Sequence, residues 1–500
     1  MALDRRDFVK SLVASVAAPS VASAMPDPSQ QHAPATVHAP RKQKKPNVVL
    51  MICDDLGYGD LHCYGSNLPT PNLDKMAEHG QRFIHYNSAH PICSASRAGL
   101  LTGRYGLRMN TTGAFGPNSR TGTSLDETLM SNLFKDRGYK TKAIGKWHLG
   151  NSGPHLPTAR GFDAFFGVPY SVDMNPLPLL RDETVLEANT DRTILTPRYT
   201  SEAVKYIEES NGDPFFLYMA FSYPHDPPMG SPRFHDKTGF GNQGDCIAEI
   251  DWSVGEVLHA LERKGLTSDT LVIFTSDHGP WYQGSPGLLR GRKATSFEGG
   301  FRVPFIARWP GTLDADKVRK EWVSALDVLP TLAAICNLPL PAKPLDGINM
   351  ESVIYGHGTM PERKPLLYFC AMGNGGLDVH CIRKEHWKLR VAQGIEGEIY
   401  LNDRTTGARS SAWLRVPELY NVELDMAESY DVAHLHPEIV HELMASLEEQ
   451  MPSFPPNVVA EYTALKQRKG DWSTPAGASP RPDHEKIPPT SYTPPYRQAP

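Results

Sequence analysis

The chain lacks any run of eighteen consecutive apolar residues, which excludes an ordinary membrane-spanning helix and a stable anchor of that kind. It also lacks a dominant charge. With 51 Lys and Arg against 56 Asp and Glu, the net charge is only -5, so there is no electrostatic footprint for nucleic acid and no polybasic membrane patch. The seven cysteines stand singly and none forms a C-x-x-C pair, which argues against a structural zinc site and against thioredoxin-like redox chemistry. No internal repeat of solenoid period is present. With 40% hydrophobic and 21% charged residues, the 500-residue chain can bury a sizeable core.

The two ends read as segments outside the fold. Arg5-Arg6 precede a short apolar run from Ser11 to Val21 and a small-residue cleavage pattern, Ala22-Ser23-Ala24. Residues 1–24 therefore read as a twin-arginine signal peptide, which implies the twin-arginine export machinery as a partner and a periplasmic or secreted protein. Residues 25–45 read as a linker. Residues 466–500 form a Pro-rich tail, since the last fifty residues hold 11 of the 44 prolines.

Between the ends, strand and helix patterns alternate. Asn47–Ile52 is a continuous apolar run, the mark of a strand buried on both faces. Further strands are expected at Thr141–Ile144, Phe215–Phe221 and Thr270–Thr275. Helices are expected after Thr70-Pro71, from the Ser124–Glu127 capping box to Gly138, and over Asp245–Lys264. The rhythm changes near residue 350. There Leu366–Phe369, Trp387–Val391 and Glu398–Leu401 read as short antiparallel strands, followed by a helix over His436–Gln450. The expected fold class is α/β: a large, mostly parallel sheet flanked by helices over residues 46–349, with a smaller C-terminal α+β domain containing an antiparallel sheet over 350–465.

Open α/β sheets bind ligands beyond the carboxyl ends of their strands. Here four predicted strands end in chemically loaded residues: Asp54-Asp55, then Lys146 and His148, then His225, then Asp277-His278. One Asp-Asp pair is commonly a turn; four such strand ends point to one shared site. Three carboxylates there (Asp54, Asp55 and Asp277) need a cation between them, and oxygen-rich ligation favours Ca²⁺, with Mg²⁺ second.

The segment Cys93-Ser94-Ala95-Ser96-Arg97, followed by Leu100-Leu101-Thr102-Gly103-Arg104, gives these residues a family. Together with Asp54-Asp55, Gly145–Gly150, Thr275–Gly279 and Lys293–Gly300, it resembles type I sulfatases of the alkaline-phosphatase superfamily, arylsulfatase A-like in character. The resemblance spans roughly residues 46–450. It implies that Cys93 is oxidised to formylglycine (3-oxoalanine) by a formylglycine-generating maturation enzyme, and that the hydrated aldehyde attacks sulfur. Oxidation of Cys93 leaves six thiols, an even number suited to an oxidising compartment. The resemblance further implies that Asp54, Asp55, Asp277 and His278 bind the metal together with the Cys93-derived group. Arg97 would hold the hydrate and the carboxylates, and Lys146 and Lys293 would grip sulfate oxygens. His148 would take a proton from the hydrate, and His225 would face the leaving oxygen. The substrate class implied is a sulfated small molecule or glycan. Two positions depart from the common pattern: Ala95 stands where many members have proline, and His278 where many have asparagine.

The motif is expected to enter a helix at Ser94–Ala98, which would place residue 93 at a helix N-terminus, where unpaired N–H groups and the dipole favour an anion. Two other functions fit the same residues. One is a phosphate or phosphonate monoester hydrolase of the same superfamily, separable by relative rates on aryl sulfate and aryl phosphate. The other is an inactive sulfated-glycan-binding protein, in which Cys93 stays a thiol.

Overall fold

The computed structural model describes residues 45–370, 377–393 and 411–468. The signal at 1–24, the linker up to residue 44, the strand expected at Glu398–Leu401 and the tail beyond 468 lie outside the described residues.

In chain order the strands are β1 (Asn47–Cys53), β2 (Gln81–Phe83), β3 (Tyr86–Asn87), β4 (Lys140–Lys146), β5 (Ala164–Val168), β6 (Leu179–Arg181), β7 (Thr184–Glu187) and β8 (Phe215–Ala220). They continue as β9 (Thr270–Ser276), β10 (Phe305–Arg308), β11 (Lys317–Arg319), β12 (Val323–Ser324), β13 (Leu366–Phe369), β14 (Val379–Lys384), β15 (Trp387–Gln393) and β16 (Ala412–Asn421). Among the described residues the large sheet has the order β11-β2-β10-β9-β1-β8-β4-β5-β6-β7. Its centre, β9-β1-β8-β4-β5, is parallel throughout. Antiparallel pairing begins at β10 on one side and at β6 on the other.

The apolar run at β1 has a direct structural reason. Val48, Leu50 and Ile52 enter the core on one face of the sheet, and Val49, Met51 and Cys53 enter the core on the other. A strand covered on both faces has no solvent side on which to alternate polar residues. Helices Leu195–Glu208 and Gly241–Arg263 cover one face with Tyr199, Ile207, Ile250, Val254 and Leu261. Helices Cys93–Thr102 and Val328–Ile335 cover the other with Leu100, Leu101, Leu329 and Leu332. Among the described residues no helix is long and apolar enough to cross a membrane.

The helix expected to open at Ser124 instead runs over Met130–Asp136. Its start moves because Glu127 is taken by tertiary partners, Arg104 Nε at 3.2 Å and Lys343 Nζ at 2.8 Å. Asn132 Oδ1 accepts from Leu129 N at 3.0 Å and serves the helix entrance instead.

Among the described residues a separate four-stranded antiparallel sheet, β13-β14-β15-β16, follows in the chain. It meets the large sheet through apolar residues such as Leu367 and Phe369 and through a buried ionic knot. Glu298 contacts Arg302, Arg383 NH1 at 2.6 Å and Lys388 Nζ at 3.3 Å. Its backbone N–H donates to Glu428 Oε2 at 2.7 Å. Buried charges persist only when paired and hydrogen-bonded in this way. The knot fixes the segment that begins at Lys293 and leads into β10.

Candidate functional site

The parallel strands deliver their following residues to one place. Asp54-Asp55 leave β1, Asp277-His278 leave β9, Lys146 ends β4 with His148 two residues on, and His225 follows β8. The helix Cys93–Thr102 points its first turn at the same spot, with Cys93 as its first residue and every side chain buried. That places residue 93 at a helix N-terminus, as its motif implied. The motif serines hold the helix there: Ser96 Oγ donates to the Asp277 carbonyl, and Ser94 Oγ accepts from Phe115 N at 3.2 Å.

Ligand atoms of Asp54, Asp55, Cys93 and His278 all lie within 4.8 Å of one another, and all four residues are buried. His278 Nδ1 lies 3.0 Å from the Gly279 carbonyl, and an N–H donated there leaves the Nε2 lone pair facing inward. Nε2 lies 3.2 Å from Cys93 Sγ, 3.5 Å from Asp55 Oδ1 and 3.6 Å from Asp277 Oδ1. Asp54 Oδ1 is buried without a hydrogen bond. An orphaned carboxylate oxygen beside a second carboxylate and an imidazole lone pair fits a hard divalent cation. Asp277 stands at the rim of this cluster. Its Oδ1 accepts from Asp55 N at 3.2 Å and His278 N at 3.0 Å, and its Oδ2 accepts from Arg97 Nε at 3.0 Å.

Two buried cations, Arg97 and Lys146, and the partly buried Lys293 surround the carboxylates. Arg97 NH2 is 2.9 Å from Asp277 Oδ2 and 3.4 Å from Asp54 Oδ1, and NH1 donates to the Lys146 carbonyl at 3.1 Å. Lys146 Nζ donates to Asp54 Oδ2 and, at 3.2 Å, to Ser171 Oγ. Lys293 Nζ lies 2.8 and 3.0 Å from the two Asp55 oxygens. Burial pushes the Asp54 carboxyl upward, but Lys146, His225 and Arg97 hold it well below the usual carboxylate range. For Asp55, burial is outweighed by Lys293, His225 and His278, and its carboxyl is also lowered. Burial opposes the charge on Lys293, yet the neighbouring carboxylates, Asp55 first, keep its ammonium protonated well above the ordinary lysine range.

The two outer histidines differ. His148 Nε2 contacts the Phe115 carbonyl at 2.9 Å, while its Nδ1 is buried without a partner. Burial, followed by Lys146, drives its proton affinity well below the usual imidazole value, so it is neutral and carries an available lone pair. His225 Nδ1 contacts the Asp226 carbonyl at 2.7 Å, and its Nε2 faces Lys293 Nζ at 3.0 Å and Ser171 Oγ at 3.3 Å. Burial and Lys293 oppose its charge, but Asp55 and Asp54 outweigh them and raise its proton affinity.

The backbone is specialised at the same points. Asp55 (φ 65°), His148 (φ 60°) and Ala294 (φ 71°), the last adjoining Lys293, are left-handed without being glycine. Such conformations cost roughly 1–3 kcal/mol each and survive where surrounding contacts over-determine them. Gly145 (φ 98°) permits the close crossing of β4 and β8, because a Cβ there would sit 1.8 Å from the Ala220 carbonyl oxygen.

All ten residues singled out in the sequence thus meet in one buried locus. Ser171 was missed. It follows the end of β5 by three residues and bridges Lys146 and His225, so the strand-end rule would have reached it had β5 been recognised. A cavity of about 500 Å³ lined by His85, Trp322, Arg363 and Arg383 contains none of these residues.

A family model described as Sulfatase matches residues 46–338. Arylsulfatase A of Homo sapiens is 36% identical over 440 residues, covering 80% of this chain and 86% of that protein. N-acetylgalactosamine-6-sulfatase of Rattus norvegicus is 38% identical over 347 residues, covering 62% of this chain and 66% of that protein. A solved protein of glycosaminoglycan metabolism by Bacteroides thetaiotaomicron superposes with a TM-score of 0.72 at 28% identity, covering 81% of this chain and 99% of that one.

Proposed function

The chain belongs to the sulfatase family, and from that premise we propose that it hydrolyses aryl or carbohydrate sulfate monoesters with a formylglycine at position 93 and a divalent ion beside it. As a sulfuric ester hydrolase it must activate a nucleophile, neutralise an anionic ester and protonate a departing alcohol. The observation that carries the reading is the placement of Cys93 at a buried helix N-terminus, 3.2 Å from His278 and grouped with Asp54 and Asp55.

Asp54, Asp55, Asp277 and His278 would hold the ion, with an oxygen of residue 93 completing the set. Calcium is favoured over magnesium because the donors are mainly carboxylate oxygens from several loops rather than a compact octahedron. When bound, such an ion supplies Lewis-acid polarisation of a sulfate oxygen. A formylglycine hydrate at position 93 would supply the nucleophilic hydroxyl, and its second hydroxyl would divide one difficult hydrolysis into two easier steps.

The chain's own side chains do the rest. Arg97 holds Asp54 and Asp277 in register through its guanidinium contacts. Lys146 and Lys293 bind sulfate oxygens and offset charge as it grows in the transition state. His148 Nδ1, neutral and unpartnered, accepts the proton of the attacking hydroxyl. His225 and Lys293, 3.0 Å apart, stand on the leaving side and return a proton to the departing oxygen. Arg5-Arg6 and the C-S-A-S-R motif extend the reading to twin-arginine export and to a maturation enzyme that accepts alanine at position 95.

The test compares an aryl sulfate with the matching aryl phosphate, using protein from a host that matures sulfatases. Faster turnover of the sulfate is expected, and Cys93→Ala should abolish it while leaving the circular dichroism spectrum unchanged. Preference for the phosphate, or turnover retained by Cys93→Ala, would overturn the assignment.

A further inference from the structure

His148 can take a proton only at a bare ring nitrogen, and which nitrogen is bare depends on a loop outside its own strand end. The His148 backbone is fixed where β4 ends. Trp147 N donates to the Val168 carbonyl at 3.0 Å, and His148 N donates to the Pro169 carbonyl at 3.1 Å. The ring is held less firmly. Among the described residues it makes one hydrogen bond, from Nε2 to the Phe115 carbonyl at 2.9 Å, while Nδ1 is buried without a partner. A carbonyl only accepts, so this bond places the proton on Nε2 and the lone pair on Nδ1. Moving the Phe115 carbonyl away frees the ring to carry its proton on Nδ1 instead, where it cannot serve as the base.

Residues 110–119 form neither helix nor strand, so individual tethers set where that carbonyl lies. Phe115 N donates to Ser94 Oγ at 3.2 Å, which ties the loop to the residue after Cys93. Gly116 N donates to Ser119 Oγ at 2.8 Å, and Ser119 N returns a bond to the Gly116 carbonyl at 3.0 Å. This turn closes on itself and does not anchor the loop to anything else. Asn151, three residues beyond His148, supplies the second anchor. Its Nδ2 donates to the carbonyls of Gly116 and Pro117, each at 3.0 Å. A side-chain amide has two N–H donors, and here both are spent on consecutive carbonyls of the loop. His148, Phe115, Gly116 and Asn151 thus form a closed ring of contacts that starts and ends in the segment after β4.

We infer that Asn151 is a positioning residue for the hydrolysis: by holding the Gly116 and Pro117 carbonyls it sets the Phe115 carbonyl, and through it the tautomer of His148. This role rests on the sulfatase reading, which gives His148 the proton of the attacking hydroxyl. The Asn151 amide is spent on the loop and not on the lysines, arginine or carboxylates of the site, so its loss acts on turnover and not on sulfate affinity. The donor matters more than the shape. Aspartate has the same outline but would set a carboxylate against two carbonyl oxygens and push the loop away, whereas alanine only releases it.

The test uses the matured full chain, with 4-nitrophenyl sulfate as substrate and inorganic sulfate as competitive inhibitor. Asn151→Ala should lower kcat about tenfold, a part of what a general base supplies, and leave KM and the sulfate inhibition constant within about twofold of the parent. Asn151→Asp should lose more than Asn151→Ala, and Asn151→Ser, which keeps one donor, should recover part of the loss. Nitrogen-15 spectra of protein with labelled imidazoles read the tautomer, His148 being the pair of signals lost in His148→Gln. The parent should show Nε2 protonated and Nδ1 bare, and Asn151→Asp should show the two nitrogens averaged or reversed. If Asn151→Ala does not fold, Asn151→Ser and Asn151→Asp carry the same comparison. Asn151→Asp matching the parent in kcat and tautomer, or a loss confined to KM and sulfate inhibition, would overturn the assignment. If the parent cleaves no sulfate ester, the sulfatase reading fails separately and the nitrogen-15 comparison decides alone: a tautomer altered in Asn151→Asp supports the tether, and an unaltered one refutes it.

Discussion

Arg97→Met would test whether the site's carboxylates depend on this one guanidinium when no metal is bound. Arg97 is fully buried and reaches Asp277 Oδ2 at 2.9 Å and Asp54 Oδ1 at 3.4 Å, while Lys146 remains as the second partner of Asp54. Methionine keeps much of the volume but strands the Asp277 carboxylate and half of Asp54. Breaking a buried pair by removing one partner costs about 3–5 kcal/mol. Unfolding entropy is roughly 2 cal/mol/K per residue, so for about 400 described residues that cost lowers Tm by about 4–6 °C. The assay is differential scanning calorimetry of parent and variant in chelator and again with millimolar calcium. The gap should be largest in chelator and should narrow with calcium, because a dication replaces the missing counter-charge and stabilises the fold by mass action. A gap near zero in chelator, or one that widens with calcium, would refute the electrostatic account of Arg97.

Lys293→Met removes the cation shared by Asp55 and His225. It should lower kcat/KM on an aryl sulfate by about 100-fold or more and weaken inhibition by inorganic sulfate, both read from steady-state kinetics. Gly145→Ala would push a methyl group into the Ala220 carbonyl oxygen and force a left-handed alanine one residue before Lys146. Lower Tm and lost activity together are expected, and a variant unchanged in both would contradict the close crossing of β4 and β8. Glu202 concerns stability rather than catalysis. Burial raises its carboxyl, but hydrogen bonds from Arg181 and Lys142 bring it from 4.5 down to about 2. A depressed folded-state value stabilises the protein above the ordinary one, and that contribution is lost as pH falls from 4.5 toward 2. Urea titrations across that window should show a shallower acid loss for Glu202→Gln than for the parent.

Much of the centre was legible because burial on both faces leaves an unmistakable mark. β1, β8 and β9 appear as continuous apolar runs, and their ends differ from the expected ones by a residue at most. The site was legible for a related reason: parallel strands put all their carboxyl ends on one edge, so unusual polar residues after several strands must converge. What failed were elements defined by partners distant in sequence. The Ser124–Glu127 pattern has the form of a capping box, but Glu127 is claimed by Arg104 and Lys343. β16 was missed because its pattern mixes Arg415, Pro417 and Glu418 with apolar residues, and only pairing with β15 reveals it. Helix Leu195–Glu208, with a proline in its first turn, was also missed; it is defined by packing against helix Gly241–Arg263 and the sheet. Ser171 was invisible for the same reason as β5, whose short segment Ala164–Val168 is interrupted by Gly167 and does not read as a strand without its pairing to β4.

The central claim concerns the chemical identity of residue 93. Trypsin releases the peptide from Phe83 to Arg97, in which Cys93 is the only cysteine, and its mass can be read directly from protein made by the native host. The account predicts a peptide with a carbonyl oxygen in place of the thiol, one that also condenses with a hydrazide reagent. A peptide that carries an intact thiol and is inert to that reagent would contradict it.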